Sequence, residues 1–187
     1  MTDRLVLLHG WGATQDDLTP LGQHLADGHG RDLDVISLEA PEQHPQGTGR
    51  QWYGLFPPDW TAVPQAVSAL QARLHQLVST ECPLERTVLL GFSQGGAMAL
   101  DAGCQLPLAA VISCSGYPHP EWVPRQDHPP VLLLHGSDDE VVPSGAADQI
   151  WTKLDKKRSK KRLFTGGHTI TGEAMEAISA MLQEHLH

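Results

Sequence analysis

Short runs of apolar residues alternate along this 187-residue chain with segments in which apolar positions recur every three or four residues. Six runs have the length and composition of strands: residues 5–8, 33–38, 87–90, 109–113, 131–134 and, more weakly, 162–164. Most of these runs are continuously apolar rather than alternating, which is typical of parallel strands covered on both faces.

Helical patterns lie between the runs. One apolar stripe extends from Val63 to Val78 with Thr61 as its expected N-cap, a second follows Ser144, and a third fills the last segment of the chain. The alternation of strand and helix requires crossover connections. It predicts an α/β fold with an open, mainly parallel six-stranded sheet and helices on both faces. No repeat or linker divides the pattern, so residues 1–187 are expected to form a single domain.

Composition narrows the possible partners and compartments. The formal net charge of −9 disfavours a nucleic-acid partner. No apolar run approaches the roughly 20 residues of a membrane span, and the first residues lack the pattern of a signal peptide. Cys82, Cys104 and Cys114 have no metal-ligand spacing and are expected to be free thiols. These features predict a cytoplasmic protein without a transmembrane segment.

Polar residues with catalytic potential follow four of the predicted strands. His9 follows the first run, Ser93 the third, an aspartate pair the fifth and His168 the sixth. Because the carboxyl ends of parallel strands meet at one edge of a sheet, we expect these side chains to lie close together. The sequence contains no Gly-rich phosphate loop, dinucleotide fingerprint or metal-ligand cluster, so no cofactor and no metal are expected.

The stretch GFSQGG, residues 91–96, places a serine between a predicted buried strand and a helix of small residues. A sharp strand-to-helix turn exposes the hydroxyl, and flanking glycines relieve the crowding that such a turn causes. The helix N-terminus directs its N–H groups at the reacting oxygen. Ser93 is therefore the expected nucleophile, and it needs a base to accept its proton.

The partners of a nucleophilic serine follow it in the order acid and then histidine in this architecture. His168, after Gly166-Gly167 and before the last helix, is the expected base. From the residues alone, either Asp139 or Asp138 can be the acid. His9 and His135 are expected to be structural residues at strand ends.

Catalysis of acyl transfer also needs N–H donors aimed at the developing oxyanion. The backbone N–H of Gln94, directly after the serine, is one expected donor. The second is expected from the loop after the first strand, at the backbone N–H of Trp11 between two glycines.

Four segments, LLHGWG, GFSQGGAMAL, LLHGSDDEVVP and GGHTI, carry a resemblance that spans nearly the whole chain. They resemble the α/β-hydrolase fold and, more narrowly, the carboxylesterase, lysophospholipase and acyl-protein thioesterase family. The resemblance implies a minimal form of that fold without the usual two leading strands. It also implies the triad Ser93, His168 and Asp139, with Asp139 preferred over Asp138.

The resemblance implies a serine hydrolase that cleaves small carboxylic esters or thioesters through an acyl-enzyme intermediate. Two alternatives remain at this point. One is a serine hydrolase of another class, a peptidase or a carbon–carbon hydrolase, and the other is a non-catalytic binding protein with the same fold.

The segment 41–60 concentrates aromatic residues after the second predicted strand: Trp52, Tyr53, Phe56 and Trp60. One interpretation makes Trp52, Tyr53 and Phe56 substrate-binding residues that wall an acyl group. The other is that they pack a long loop onto the core. Neither this loop nor residues 117–130 is long enough for a lid domain, which predicts an open, shallow site.

A basic run near the C-terminus has two interpretations. It is either a solvated turn entering an edge strand, where charge discourages edge-to-edge pairing, or a weak contact for an anionic surface. The residues concerned are Lys156, Lys157, Arg158, Lys160, Lys161 and Arg162.

Overall fold

The computed structural model describes residues 2–186. Its strands are β1 (Asp3–Leu8), β2 (Leu33–Leu38), β3 (Glu42–Gln43), β4 (Arg50–Gln51), β5 (Thr87–Phe92), β6 (Ala110–Cys114), β7 (Val131–Gly136) and β8 (Lys160–Phe164). Six of them form one parallel sheet in the order β2-β1-β5-β6-β7-β8, and β3 pairs with β4 in a small antiparallel ribbon. The predicted six-stranded α/β sheet is thereby confirmed.

Residues 2–186 contain five α-helices, of which four lie between strands and the last follows the final strand. They are α1 (Thr19–His29), α2 (Val63–Gln76), α3 (Gln94–Gly103), α4 (Gly145–Lys153) and α5 (Gly172–His185). Helices α2, α3 and α4 cover one face of the sheet, whereas α1 and α5 cover the other. None of the helices in residues 2–186 is both long and apolar enough to span a bilayer.

The central strands are buried on both faces because their side chains alternate between two hydrophobic clusters. In β1, Val6 and Leu8 pack into the cluster with α2, α3 and α4. Leu5 and Leu7 point the opposite way, into the cluster with α1 and α5. The continuous apolar runs of the sequence correspond to this two-sided burial.

Helix α1 was not expected from the hydrophobic pattern. Its segment is rich in polar residues, and of its residues only Gly22 and Leu25 are buried. A Cβ at Gly22 would lie 2.7 Å from Val35, so the helix packs closely against β2 through this glycine. Because glycine has no apolar side chain, a helix that packs through a glycine shows few apolar residues at helical spacing in its sequence.

The N-cap assignment for α2 is corrected. Thr61 does not cap the helix; its N–H and hydroxyl both donate to the Asp59 carboxylate, which also accepts from the N–H of Ala62. Asp59 therefore stabilises the turn that precedes the helix, whose N-cap residue is Ala62 and has no side-chain cap. The helix ends at Gln76, two residues before the apolar stripe does.

The basic run enters the edge strand β8. Arg158 pairs with Asp155, Lys160 with Glu184 and Lys161 with Asp148. These ion pairs neutralise half of the run, an arrangement that agrees with the solvated-edge interpretation.

Candidate active site

Ser93 lies at the sharpest backbone turn of the site. It is the single residue between the end of β5 and the start of α3, and its backbone has φ 56° and ψ −117°. Its N–H donates to the Cys114 carbonyl at 2.8 Å, and its carbonyl accepts from the Ala97 N–H at 3.1 Å. These bonds hold a strained conformation in which the hydroxyl stands clear of the main chain.

The glycines around Ser93 are required by backbone contacts. A Cβ at Gly91 would lie 2.0 Å from the Gly95 carbonyl oxygen, and a Cβ at Gly95 would lie 2.2 Å from the Leu8 carbonyl oxygen. Any larger side chain at either position would push α3 away from the strands. The expected steric reason for the glycines is confirmed.

His168 comes to Ser93 from the loop after β8. Its Nε2 lies 3.0 Å from Ser93 Oγ, and its ring packs against that of Phe92 at a centroid distance of 4.8 Å. The loop is held against the turn after β7, where the Asp138 N–H donates to the Gly166 carbonyl. This contact brings residues from two separate strand ends together.

Asp139, and not Asp138, contacts the histidine. Its Oδ2 lies 2.8 Å from His168 Nδ1, and its Oδ1 accepts from the N–H groups of Val141 and Val142. Burial acts to raise the pKa of Asp139, but the bonds from His168 and Val142 outweigh it, and the pKa lies below its usual value. Asp138 is exposed and accepts only from the Ser137 hydroxyl.

The contacts of His168 determine its tautomer. A carboxylate only accepts, so Nδ1 carries the proton that is donated to Asp139. Nε2 is then the acceptor for the Ser93 hydroxyl proton. The geometry is that of a serine activated by a base and oriented by an acid.

His9 and His135 are buried and bonded to backbone. His9 Nδ1 donates to the Gly10 carbonyl and its Nε2 accepts from the Ala40 N–H. Burial lowers the pKa of His9, which keeps the ring neutral. His135 Nε2 donates to the Val142 carbonyl at 2.8 Å. These positions favour the structural roles expected for both.

The two expected oxyanion donors belong to residues beside the serine, on different elements. Gln94 is the first residue of α3, so its N–H has no acceptor within the helix. Trp11 lies in a turn closed by a bond from the Ala13 N–H to the Gly10 carbonyl, in which Gly12 has φ 78°. A Cβ at Gly10 would lie 3.3 Å from Ser93 Cβ, which places this turn directly beside the serine.

An apolar groove of about 480 Å³ opens at Ser93 and His168. This size is within the usual range for small-molecule sites. Its walls include Trp11, Leu55, Phe56, Trp60, Tyr117 and Val142. A second concave region adjoins the other side of His168 and is lined by Leu18, Leu21, Phe92, Ile170 and Met175.

The structure brings only one of the three expected substrate-binding aromatics to the groove. Phe56 lines it and is 72% exposed. Trp52 and Tyr53 are 2% and 0% exposed and pack in the core below it. Trp52 Nε1 donates to the His9 carbonyl, and neither Trp52 nor Tyr53 lines the groove. The placement favours the packing interpretation for Trp52 and Tyr53.

The Gln94 side chain has a role that sequence reasoning missed. It is fully buried; its Oε1 accepts from the Trp52 N–H and its Nε2 donates to the Tyr53 carbonyl. It thereby fixes the aromatic segment to the nucleophile turn. The available signal was a polar residue in a stretch that, apart from Ser93, is apolar or glycine, because a buried polar side chain needs hydrogen-bond partners.

Within residues 2–186, no group of three or more histidine, cysteine, aspartate or glutamate side chains is arranged to hold a metal ion. Cys82, Cys104 and Cys114 are buried and free, as expected.

Comparison with known proteins shows similarity to esterases and thioesterases. The family model described as Phospholipase/Carboxylesterase matches residues 1–186. Acyl-protein thioesterase 1 of Neurospora crassa is 31% identical over 159 residues, which cover 72% of this chain and 65% of that protein. Acyl-protein thioesterase 1 homolog 2 of Dictyostelium discoideum is 34% identical over 91 residues, covering 45% of this chain and 41% of that protein. The matched segments thus span less than two thirds of these relatives.

Solved structures match over more of their length. The crystal structure of esterase PE8 has a TM-score of 0.87 and 32% identity, covering 98% of this chain and 93% of that one. Acyl-protein thioesterase 2 of Zea mays has a TM-score of 0.77 at 19% identity, covering 100% of this chain and 94% of that one, which is a likeness of fold.

Proposed function

This chain belongs to the phospholipase/carboxylesterase family, and from that premise we propose that it is a serine hydrolase that cleaves carboxylic esters or thioesters. Ser93 is the nucleophile, His168 the general base and acid, and Asp139 the orienting acid. The observation that carries the proposal is the continuous hydrogen-bonded chain from Asp139 through His168 to Ser93, at 2.8 and 3.0 Å. It ends on a strained serine at the base of an apolar groove.

The reaction begins when His168 Nε2 removes the Ser93 proton as Oγ attacks the substrate carbonyl carbon. The positive charge that develops on the imidazole is stabilised by Asp139, whose low pKa keeps the carboxylate ionised. The N–H groups of Trp11 and Gln94 donate to the oxyanion of the tetrahedral intermediate. His168 then protonates the leaving alcohol or thiol, and an acyl-Ser93 ester remains.

Water completes the cycle by the same steps. His168 takes a proton from a water molecule that attacks the acyl-enzyme, and returns it to Ser93 Oγ as the acid is released. The second concave region touches His168 and not Ser93. This position suits the leaving group, because His168 must reach its oxygen or sulfur, whereas the groove at Ser93 and Trp11 suits the acyl group.

The acyl group is of modest size. The groove is open to solvent and its walls are apolar. Each substrate methylene buried against these walls therefore stabilises the bound state by about 0.8 kcal/mol, until the acyl chain extends beyond the groove. Esters or thioesters of short to medium acids are therefore the proposed substrates. The buried free thiols support the expectation of a reducing compartment such as the cytoplasm.

The proposal is tested with p-nitrophenyl esters and the corresponding thioesters from acetate to octanoate. We expect hydrolysis by the wild-type chain and a loss of about 10⁶ in kcat for Ser93→Ala. Ser137→Ala, which removes another hydroxyl near the site, is the matched control and should keep its activity. Equal rates for Ser93→Ala and wild type would refute the assignment.

A further inference from the structure

A second aspartate–histidine pair adjoins the groove, outside the catalytic chain. Asp101 Oδ2 lies 2.8 Å from His119 Nδ1, and His119 Nε2 lies 2.8 Å from Tyr53 Oη. Tyr53 Oη lies 2.7 Å from Tyr117 Oη. Because Tyr117 lines the groove, these four side chains form a continuous hydrogen-bonded path from α3 to the proposed acyl site.

The chemistry of the groups fixes the direction of the first bond along the path. The Asp101 carboxylate only accepts, so His119 Nδ1 carries the proton. When the ring carries no second proton, its Nε2 accepts from the Tyr53 hydroxyl. The Tyr53 oxygen in turn accepts from the Tyr117 hydroxyl, and the only proton of Tyr117 is thereby committed to Tyr53.

Both tyrosines keep their protons. Burial, chiefly, raises the pKa of Tyr53 far above its ordinary value and that of Tyr117 to about 12. The Tyr117 oxygen is therefore neutral, and its remaining lone-pair capacity accepts hydrogen bonds without being able to donate one.

The neighbouring wall of the groove offers little other polarity. The Trp11 indole N–H is committed to Gln51 Oε1 at 2.9 Å. Phe56 presents a ring, Trp60 presents an indole whose N–H is a donor, and Leu55 and Val142 present aliphatic carbons. A donor on a bound acyl chain can thus be satisfied at Tyr117, whereas an additional acceptor there meets a like oxygen.

We propose that Tyr117 is a specificity-determining residue that accepts a hydrogen bond from a hydroxyl or amide N–H on the substrate acyl chain, and that Asp101, His119 and Tyr53 are positioning residues that fix its polarity. The inference rests on the proposed function, because it assigns the groove to the acyl group. It narrows the substrate class to esters or thioesters whose acyl part carries a hydrogen-bond donor.

The test uses three sets of p-nitrophenyl esters: plain acyl chains, chains with one hydroxyl at successive carbons, and the methyl ethers of those hydroxyls. The readout is the ratio of kcat/KM for each hydroxyl ester to that for its methyl ether, in which effects common to both cancel. At the carbon that reaches Tyr117, one hydrogen bond should give the wild type a ratio of about 3 to 10. Tyr117→Phe should lower this ratio to about 1. An identical ratio in wild type and Tyr117→Phe at every position would overturn the proposal.

Tyr53→Phe tests whether the Tyr53 hydroxyl fixes the hydrogen-bonding direction of Tyr117 or only stabilises the fold. It retains the Tyr117 hydroxyl but releases its proton, so that Tyr117 can also donate to an ether oxygen. The ratio should fall below the wild-type value even though Tyr117 is present. If Tyr53 only supports the fold, the melting temperature falls while the ratio is unchanged, and that result contradicts the positioning role.

A binding measurement distinguishes failure of this inference from failure of the proposed function. In a Ser93→Ala background, the same esters are titrated while the intrinsic tryptophan fluorescence is followed, to which Trp11 and Trp60 contribute from the groove wall. Tighter binding of the hydroxyl ester, lost on Tyr117→Phe, supports the inference even if the wild-type chain hydrolyses none of the esters. Ester hydrolysis with no preference in either readout would refute the inference and leave the proposed function intact.

Discussion

Two aspartate–histidine pairs in this molecule, Asp139–His168 and Asp101–His119, make the same hydrogen bonds, but the hydroxyl that each contacts differs in its access to solvent. In each, a carboxylate oxygen lies 2.8 Å from a histidine Nδ1, and Nε2 contacts a hydroxyl at 3.0 Å for Ser93 or 2.8 Å for Tyr53. The Ser93 hydroxyl opens onto the groove, whereas Tyr53 is 0% exposed. The pair itself therefore only orients a hydroxyl; access and backbone geometry decide whether the oxygen can attack a carbonyl carbon.

Local backbone structure produces that difference. Ser93 is held at positive φ between a strand and a helix, and the glycines beside it allow α3 to pack closely against β1 and β5. Tyr53 follows Trp52 in a segment fixed by the buried Gln94 side chain, and its hydroxyl is enclosed by Tyr117 and His119. The first pair can serve chemistry, and the second can serve recognition.

The largest expected effect is the loss of catalysis when the first pair, Asp139–His168, is broken. Asp139→Asn no longer holds His168 in the tautomer that accepts the serine proton, so we expect kcat to fall about 10⁴-fold. Steady-state hydrolysis of a p-nitrophenyl ester measures this. Asp138→Asn, one residue away and exposed, is the control and should be nearly silent. The opposite ranking would transfer the role to Asp138.

The components of the first pair were readable from the sequence because their signals are local. Gly91, Ser93 and Gly95 satisfy a steric rule over five residues, and His168 follows a strand and two glycines. The choice between Asp139 and Asp138 depended on family resemblance, since both follow the same strand. The structure separates them by the direction of the side chains.

The second pair and the groove could not be read in this way. Asp101, His119, Tyr53 and Tyr117 are brought together by packing between distant segments, and no short spacing encodes their contacts. Burial of Trp52 beside exposure of Phe56, four residues away, likewise depends on the long-range bonds from His9 and Gln94. Helix α1 escaped notice because a glycine, rather than an apolar stripe, makes its close contact.

The aromatic segment provides the next largest effect. Trp52→Ala removes a buried indole whose N–H donates to the His9 carbonyl, so we expect a loss of about 3–5 kcal/mol of stability and a melting temperature lower by roughly 6–20 °C. Phe56→Ala, at an exposed position in the groove, should leave the melting temperature nearly unchanged. Thermal unfolding of both variants tests this contrast.

The same two variants also divide in specificity. Loss of the Phe56 ring should flatten the rise of kcat/KM with acyl length, which is about fourfold per methylene in a filled groove. In folded Trp52→Ala the rise should persist. If Trp52→Ala flattens the dependence of kcat/KM on acyl length and leaves the melting temperature unchanged, Trp52 is a substrate-binding residue of the groove.

A smaller effect is expected from breaking the second pair. Tyr53→Phe removes the donor to His119 Nε2 and the acceptor for Tyr117 while keeping the ring. An unsatisfied buried acceptor costs about 1–3 kcal/mol, which corresponds to a fall of roughly 2–12 °C in melting temperature for a chain of this size. Differential scanning calorimetry measures it. No shift at all would mean that these bonds contribute nothing to the folded state.

The central claim is that only the first pair activates a nucleophile, and covalent labelling tests it most directly. The wild-type chain is treated with one equivalent of a fluorophosphonate, digested and analysed by mass spectrometry. We expect a single label on Ser93 and its disappearance in Ser93→Ala and, nearly so, in His168→Ala. Labelling of Tyr53 or Tyr117, or labelling at an unchanged rate in Ser93→Ala, would contradict the account.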